Sequence, residues 1–222
     1  MLTVLDSREL FAGMQRVTLL YPGIAANAHE GAHLRMFIPT PDGTPHARYM
    51  TMKQIDLTAQ TVSIDIVHHS DGPISQWSQS VSQSDMIKVT GPAGMLTLPK
   101  AQRYFLAADR TGLPCIARYL ETLHPDSTGD VVVAAPHDCD LGHYFPTTNL
   151  TVHPISPDVF EAEVLKKALA LTKPGCTDYA FFAGEFQNAQ ALRRHFKDEL
   201  GLNKLSQVSA SYWRRNRPGF AN

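Results

Sequence analysis

The sequence predicts two domains of different class: a small antiparallel β-barrel over residues 1–98, then a doubly wound α/β domain over residues 99–222. Three observations carry this expectation. Short apolar runs with period-two alternation crowd the chain before Pro99. Three continuous apolar runs follow it, as parallel strands covered on both faces require. Segments of helical period lie between those three runs.

The first half reads as strands at "RVTLLYP", "HLRMFIP", "RYMTMKQIDL", "TVSIDIVHH", "DMIKVTGP" and "MLTLP". In "TVSIDIV", Val62, Ile64 and Ile66 alternate with Ser63, Asp65 and Val67. In "RYMTMK", Arg48, Met50 and Met52 take one face and Tyr49, Thr51 and Lys53 the other. Many short strands with little helix make a barrel or sandwich. In the second half, "YFLAA", "VVVAA" and "YAFFA" are the parallel strands. Leu113, Ile116, Ala117 and Leu120 share a helix face that Thr111 is placed to cap. Asp158 and Glu161 have capping-box spacing before "VLKKALAL". Phe186, Ala189, Leu192 and Phe196 lie on one side of a third helix, with Gly201 as its stop. Such a layer opens its ligand crevice at the carboxyl ends of its strands.

With 222 residues and 43% hydrophobic composition, each half can bury a core. A formal charge of −1 provides no global field for nucleic acid or an anionic membrane, and neither is expected as a partner. No apolar run is long enough to span a bilayer, and "MLTVLDSREL" has no signal-peptide pattern. Cys115, Cys139 and Cys176 form neither a disulfide framework nor a metal knuckle, so a reducing, cytoplasmic location is expected. "HDCDLGH" holds five residues of metal-ligating type, but their spacing fits no zinc pattern and reads as a polar loop.

One feature points to an anion without further context. In "DGPISQWS", Gly72 and Pro73 precede a short helix whose free backbone N–H groups attract phosphate, and Ser75 can add a hydroxyl. "AADRTGLP" lacks a glycine-rich dinucleotide fingerprint, yet its strand, polar turn and helix start at Thr111 can also receive a phosphate.

Read in order, "GAHLRMFIP", "ARYMTMK", "DGPISQWSQS", "MIKVTGPAG", "YFLAADRTGLPCIARYLETL", "AFFAGEFQNAQALRRHFKDELGL" and "SYWRRNRPG" resemble the siderophore-interacting protein family of flavin-dependent ferric-siderophore reductases, from about residue 15 to the end. The resemblance implies a ferredoxin-reductase-like fold, FAD on the barrel, and NAD(P)H or a ferredoxin-like donor at the α/β domain. It implies a ferric siderophore as substrate, with iron released as Fe(II). Transfer passes between cofactors, so no catalytic residue is named.

The resemblance also assigns residues. Arg48 matches an arginine suited to the FAD pyrophosphate, and Thr51 a threonine near the flavin ring. Met50 stands where the family has a stacking tyrosine, and Lys53 where it has a second arginine. Both departures bear on flavin affinity. His68, with His69 as second choice, is placed beside the flavin. Gly72, Pro73, Ser75 and Trp77 join the FAD site, and Thr111 the nicotinamide-cofactor phosphate. Glu185 is expected to face the nicotinamide side, and Tyr212 and Trp213 to close over the flavin or adenine edge. Arg214, Arg215 and Arg217 have no acidic neighbours in sequence and form a positive patch that, with Lys53, attracts an anionic ferric siderophore. Two alternatives share this architecture: a flavin reductase or related oxidoreductase, and a redox-inactive binding protein that Met50 and Lys53 would suit.

Overall fold

A computed structural model of the chain describes residues 1–27, 32–40, 43–68, 72–94 and 97–216. The chain divides into two compact units at residues 96/97. His69, Asp71, Met95, Leu96 and Arg217, which entered the sequence reading, lie outside the described residues.

The first unit runs β1 (Leu2–Phe11), β2 (Met14–Leu20), α1 (Ile24–Asn27), β3 (His33–Ile38), β4 (His46–Thr51), β5 (Gln54–Asp56), β6 (Thr61–Val67), α2 (Pro73–Ser80) and β7 (Met86–Ala93). These strands form one antiparallel sheet in the order β4-β3-β7-β1-β2-β6-β5. Its outermost strands, β4 and β5, are consecutive in the chain and joined by only Met52 and Lys53, so the sheet curls back on itself as a barrel does. Val17, Leu19, Leu34, Met36, Val62, Ile64 and Ile66 fill the interior.

Two strand readings are corrected here. "RYMTMKQIDL" is two strands rather than one, because the backbone turns at Met52 and Lys53 to cross from β3 to β6: Met52 N–H donates to Ala32 O (2.8 Å) and Lys53 N–H to Ser63 O (2.8 Å). The described part of "MLTLP", residues 97–99, forms no strand. In β6, alternation holds, but its polar face is buried as well. Asp65 lies directly opposite Arg16 of β2 and accepts both its Nε–H (2.7 Å) and Nη2–H (2.8 Å), while Arg16 Nη1 donates to Gln54 (3.0 Å).

The second unit runs β8 (Arg103–Ala108), a 3-10 turn (Arg110–Gly112), α3 (Leu113–Leu120), β9 (Thr128–Ala134), α4 (Leu141–Tyr144), β10 (Thr151–Ile155), α5 (Pro157–Leu171), β11 (Tyr179–Glu185), α6 (Phe186–Arg194), a π-helical turn (His195–Glu199) and β12 (Gln207–Trp213). The sheet is wholly parallel, in the order β10-β9-β8-β11-β12. Phe105, Ala107, Val132, Ala134, Ala180 and Phe182 meet Phe160, Val164 and Ala168 of α5 and Ala189, Leu192 and Phe196 beyond. On the opposite face Tyr119 of α3 packs edge-on against Phe181, ring centroids 5.1 Å apart. Helices on both faces make the layer doubly wound, the fold class predicted from the apolar runs.

Helix starts differ from the sequence reading. Asp109, not Thr111, caps the turn that leads into α3. α5 begins at Pro157 after Ser156 with no side-chain cap, so the Asp158–Glu161 spacing is not used as a capping box. The third helix ends in a π turn, and Gly201 follows with φ +71°. There Leu202 N–H closes back onto Phe196 O (2.9 Å), a geometry that favours glycine.

Candidate functional site

In the first unit the candidate site is built on β4 and the start of α2. Opposed residues of an antiparallel pair share a face, so Arg48 and Met50 lie on the side of their partners Met36 and Leu34, whereas Thr51 shares the other face with His33. Arg48 is half-buried, and desolvation disfavours its charged form. Its Nη1 donates to the carbonyl of Ala47 (2.7 Å), and among the described residues no carboxylate pairs with it. A half-desolvated guanidinium with unspent donors fits an anion that brings its own oxygens, such as a pyrophosphate.

Gly72 opens α2 without a side-chain cap, and Pro73 occupies its first turn, so the N–H groups of Ile74 and Ser75 begin the helix. Arg48 and the opening N–H groups of α2 are the anion donors of this unit. Met50 packs on the margin of the barrel core and so has one flank turned away from any ligand, and Trp77 packs there too.

Three first-unit assignments need correction. Lys53 is only 4% exposed, in the β4–β5 link, and is not a surface charge. Ser75 is buried and donates its hydroxyl to Val67 O (3.3 Å), tying α2 to β6 rather than waiting for phosphate. The ring of His68 is held on the inner side of α2. Ser78 Oγ donates to Ser75 O (3.0 Å), so the 3.2 Å contact between Ser78 Oγ and His68 Nε2 has the histidine as donor. The sequence reading missed His33, opposite Thr51, whose burial lowers its pKa against a backbone bond to Ala93. Its ring packs so close to Gly94 that a Cβ there would lie 2.8 Å from Nδ1.

In the second unit the carboxyl ends of β8 and β11 converge on two buried carboxylates. Asp109 accepts Thr111 N–H (2.8 Å) and Thr111 Oγ1–H (2.5 Å) on one oxygen, and Trp213 Nε1–H (2.7 Å) on the other. Burial raises its pKa, opposed by these donors and by a backbone bond from Glu185. Thr111 is therefore already occupied by a carboxylate, which corrects its assignment to a phosphate.

Glu185 is 2% exposed and caps α6, accepting the N–H groups of Gln187, Asn188 (3.3 Å) and Arg215 (3.3 Å). It is a buried cap rather than a group facing a ligand. Tyr212 turns its phenol inward to the buried thiol of Cys115, where desolvation raises the Tyr212 pKa strongly and pushes Cys115 up to about 11. Both residues of that pair are half-buried.

The basic tail also has partners that sequence proximity conceals. Arg215 Nη2 pairs with Glu161 on α5 at 2.6 Å, and the Arg214 guanidinium lies 4.5 Å from the Phe186 ring centroid. In "HDCDLGH", Asp140 caps α4 and bonds His143 Nδ1 (2.6 Å), which lowers the Asp140 pKa.

An antiparallel barrel with an anion-ready arginine, followed by a doubly wound parallel layer, defines the ferredoxin-reductase-like class of architecture. Comparison with known proteins is narrower. The model of the Siderophore-interacting protein family matches residues 101–216, and that of the Siderophore-interacting FAD-binding domain matches residues 40–96. The chain belongs to the siderophore-interacting protein family.

An uncharacterised protein of Mycobacterium tuberculosis is 30% identical over 190 residues, covering 78% of this chain and 66% of that one. The NADPH-dependent ferric-chelate reductase of Escherichia coli is 29% identical over 143 residues, covering 55% of this chain and 56% of that one. The chain thus spans less than two thirds of the length of these relatives. The solved siderophore-interacting protein of Acinetobacter baumannii shares the fold, with a TM-score of 0.86, 21% identity, and coverage of 97% of this chain and 90% of that one.

Proposed function

We propose that the protein is an FAD-dependent reductase of ferric siderophores that draws electrons from NAD(P)H and releases iron as Fe(II). The observation that carries this reading is Arg48: a half-buried cation without a carboxylate partner among the described residues, inside the segment matched by the family's FAD-binding domain. The name of the Escherichia coli relative supports the reaction.

In this reading residues 1–98 hold FAD and residues 99–222 receive NAD(P)H. Arg48 grips the pyrophosphate together with the opening N–H groups of α2, Met50 offers a thioether face to the flavin ring, and Thr51, whose side chain is on the other face of β4, contributes through its backbone. Gly72, Pro73 and Trp77 frame the same site. Bound FAD supplies the conversion between a two-electron donor and a one-electron acceptor, so each NAD(P)H accounts for two ferric chelates reduced. Hard oxygen ligands hold Fe(II) less tightly than Fe(III), and the metal leaves. With Lys53 buried and Arg215 paired, steering of an anionic chelate falls chiefly to Arg214. The free thiols Cys115, Cys139 and Cys176 support a reducing, cytoplasmic location. Among the described residues no helix is long and apolar enough to cross a membrane.

The test is the absorption spectrum of the purified protein with and without FAD, followed by anaerobic mixing with NAD(P)H and a ferric siderophore under an Fe(II) indicator. Flavin absorbance that bleaches with the nicotinamide and recovers as Fe(II) appears is expected. A protein that cannot be loaded with FAD refutes the proposal.

A further inference from the structure

The parallel sheet reverses direction of growth between β8 and β11: β9 and β10 extend it one way, β12 the other. Such a switch point is where an open α/β sheet forms its ligand crevice, at the carboxyl ends of the strands. Asp109 directly follows β8 at this point, and no cation pairs with it among the described residues. The backbone is closed around it. A Cβ on Gly184 would lie 2.5 Å from Asp109 Oδ2, and one on Gly112 would lie 2.7 Å from Ala108 Cβ and 2.9 Å from Ala183 O.

We propose that Asp109 is a positioning residue for the nicotinamide cofactor: it fills the anion cradle at the β8–β11 switch point and holds the Trp213 indole by its N–H edge, so that the cofactor is received on the indole face. This rests on the reading that the second unit takes NAD(P)H.

The geometry supports each part. A phosphate at Thr111 would sit against the Asp109 carboxylate, so the turn does not take one. The indole is fixed on two sides. Its N–H is bound to Asp109, and the backbone just beyond it is pinned where Arg215 N–H donates to Glu185, the residue opposite Trp213 in the strand pairing. Trp213 is half-buried, and an indole held this way at the carboxyl end of the sheet suits stacking on a planar base or pyridine ring.

Trp77 and Trp213 are the two tryptophans of the chain. The emission that Trp213→Phe removes, with Trp77 kept, therefore reports Trp213. NADP+ and NAD+ are titrated separately into the FAD-loaded protein, with quenching and calorimetry as readouts that need no turnover. Asp109→Asn presents an amide donor where one indole or threonine donor must now face it. It is expected to shift Trp213 emission and weaken the better-bound nucleotide by about fivefold or more. With Trp77 retained, Trp213→Phe keeps an aromatic ring but loses the tether, and weakens binding similarly by calorimetry. The double variant is no weaker than Trp213→Phe alone, which a merely structural role for Asp109 would not produce.

Wild-type affinity in either folded single variant, or effects that multiply in the double variant, overturns the proposal. If Asp109→Asn does not fold, Trp213→Phe decides alone. Failure of both nucleotides to quench the wild-type indole also overturns it. In that case electron transfer from photoreduced protein to a ferric tris-catecholate still shows whether the reductase reading stands.

Discussion

Replacing Arg48 with alanine separates cofactor binding from folding, because this side chain contributes little to the protein's own contacts. Its guanidinium donates to the adjacent carbonyl of Ala47, and it has no ion pair among the described residues. Desolvation already disfavours its charge, so the apo-protein should keep its melting temperature or gain slightly. The loss falls on the complex. Charge-assisted bonds to phosphate oxygens contribute about 1.5–3 kcal/mol net, which is roughly 10- to 150-fold in Kd for FAD. Arg48→Lys keeps the charge but loses the fork, and should fall between. The assay is quenching of flavin fluorescence on titration with apo-protein, paired with melting curves of apo- and FAD-loaded forms. Loss of FAD affinity with an unchanged apo melting temperature fits the site. Wild-type affinity in a folded Arg48→Ala variant would refute the placement of the pyrophosphate on β4.

Met50→Tyr should tighten FAD by about 0.5–1.5 kcal/mol through ring stacking; weaker binding by the same titration means that the core margin has closed around methionine. Arg214→Gln should slow reduction of an anionic ferric chelate in stopped flow and flatten its salt dependence, leaving flavin reduction by NAD(P)H unchanged. Arg215→Gln, which breaks an exposed pair with Glu161, should alter that rate less and stability by at most about 1 kcal/mol. Stability should fall as pH drops through about 6.5. His195 is buried, with its pKa lowered chiefly by desolvation, so the unfolded chain takes the proton first and gains from it. Melting curves from pH 7.5 to 5.5 check this, and His195→Gln should flatten the profile.

Local rhythm revealed most of the fold, because burial on one face writes itself into alternation and burial on both into continuous apolar runs. The barrel strands β2, β3, β6 and β7 and the sheet strands β8, β9 and β11 were legible for that reason. The seam at Met52 and Lys53 was not, since alternation runs through it without a turn residue to mark the break. The π turn at His195–Glu199 has no compositional sign. Site chemistry was legible in residue type more than in partnership. Arg48 stands unpaired among the described residues, but Thr111, Glu185 and Ser75 are engaged by neighbours that only folding supplies. Arg215 finds its carboxylate 54 residues upstream, where a search for adjacent acids does not look.

The buried Arg16–Asp65 pair has a consequence for strand assembly. Sliding β6 past β2 by one residue would turn Val62, Ile64 and Ile66 out of the core, so hydrophobic pattern alone forbids odd displacements. Sliding by two leaves Val17 facing Val62 or Ile66 and looks harmless on the apolar side. On the other side it strands a guanidinium opposite Ser63 or Val67 and a carboxylate opposite Met14 or Thr18, both out of water. Separating a buried pair costs about 3–5 kcal/mol, comparable to the stability of a small domain. Apolar residues thus exclude the odd misalignments and one ion pair the even ones, leaving a single alignment for the two strands at the middle of the barrel wall.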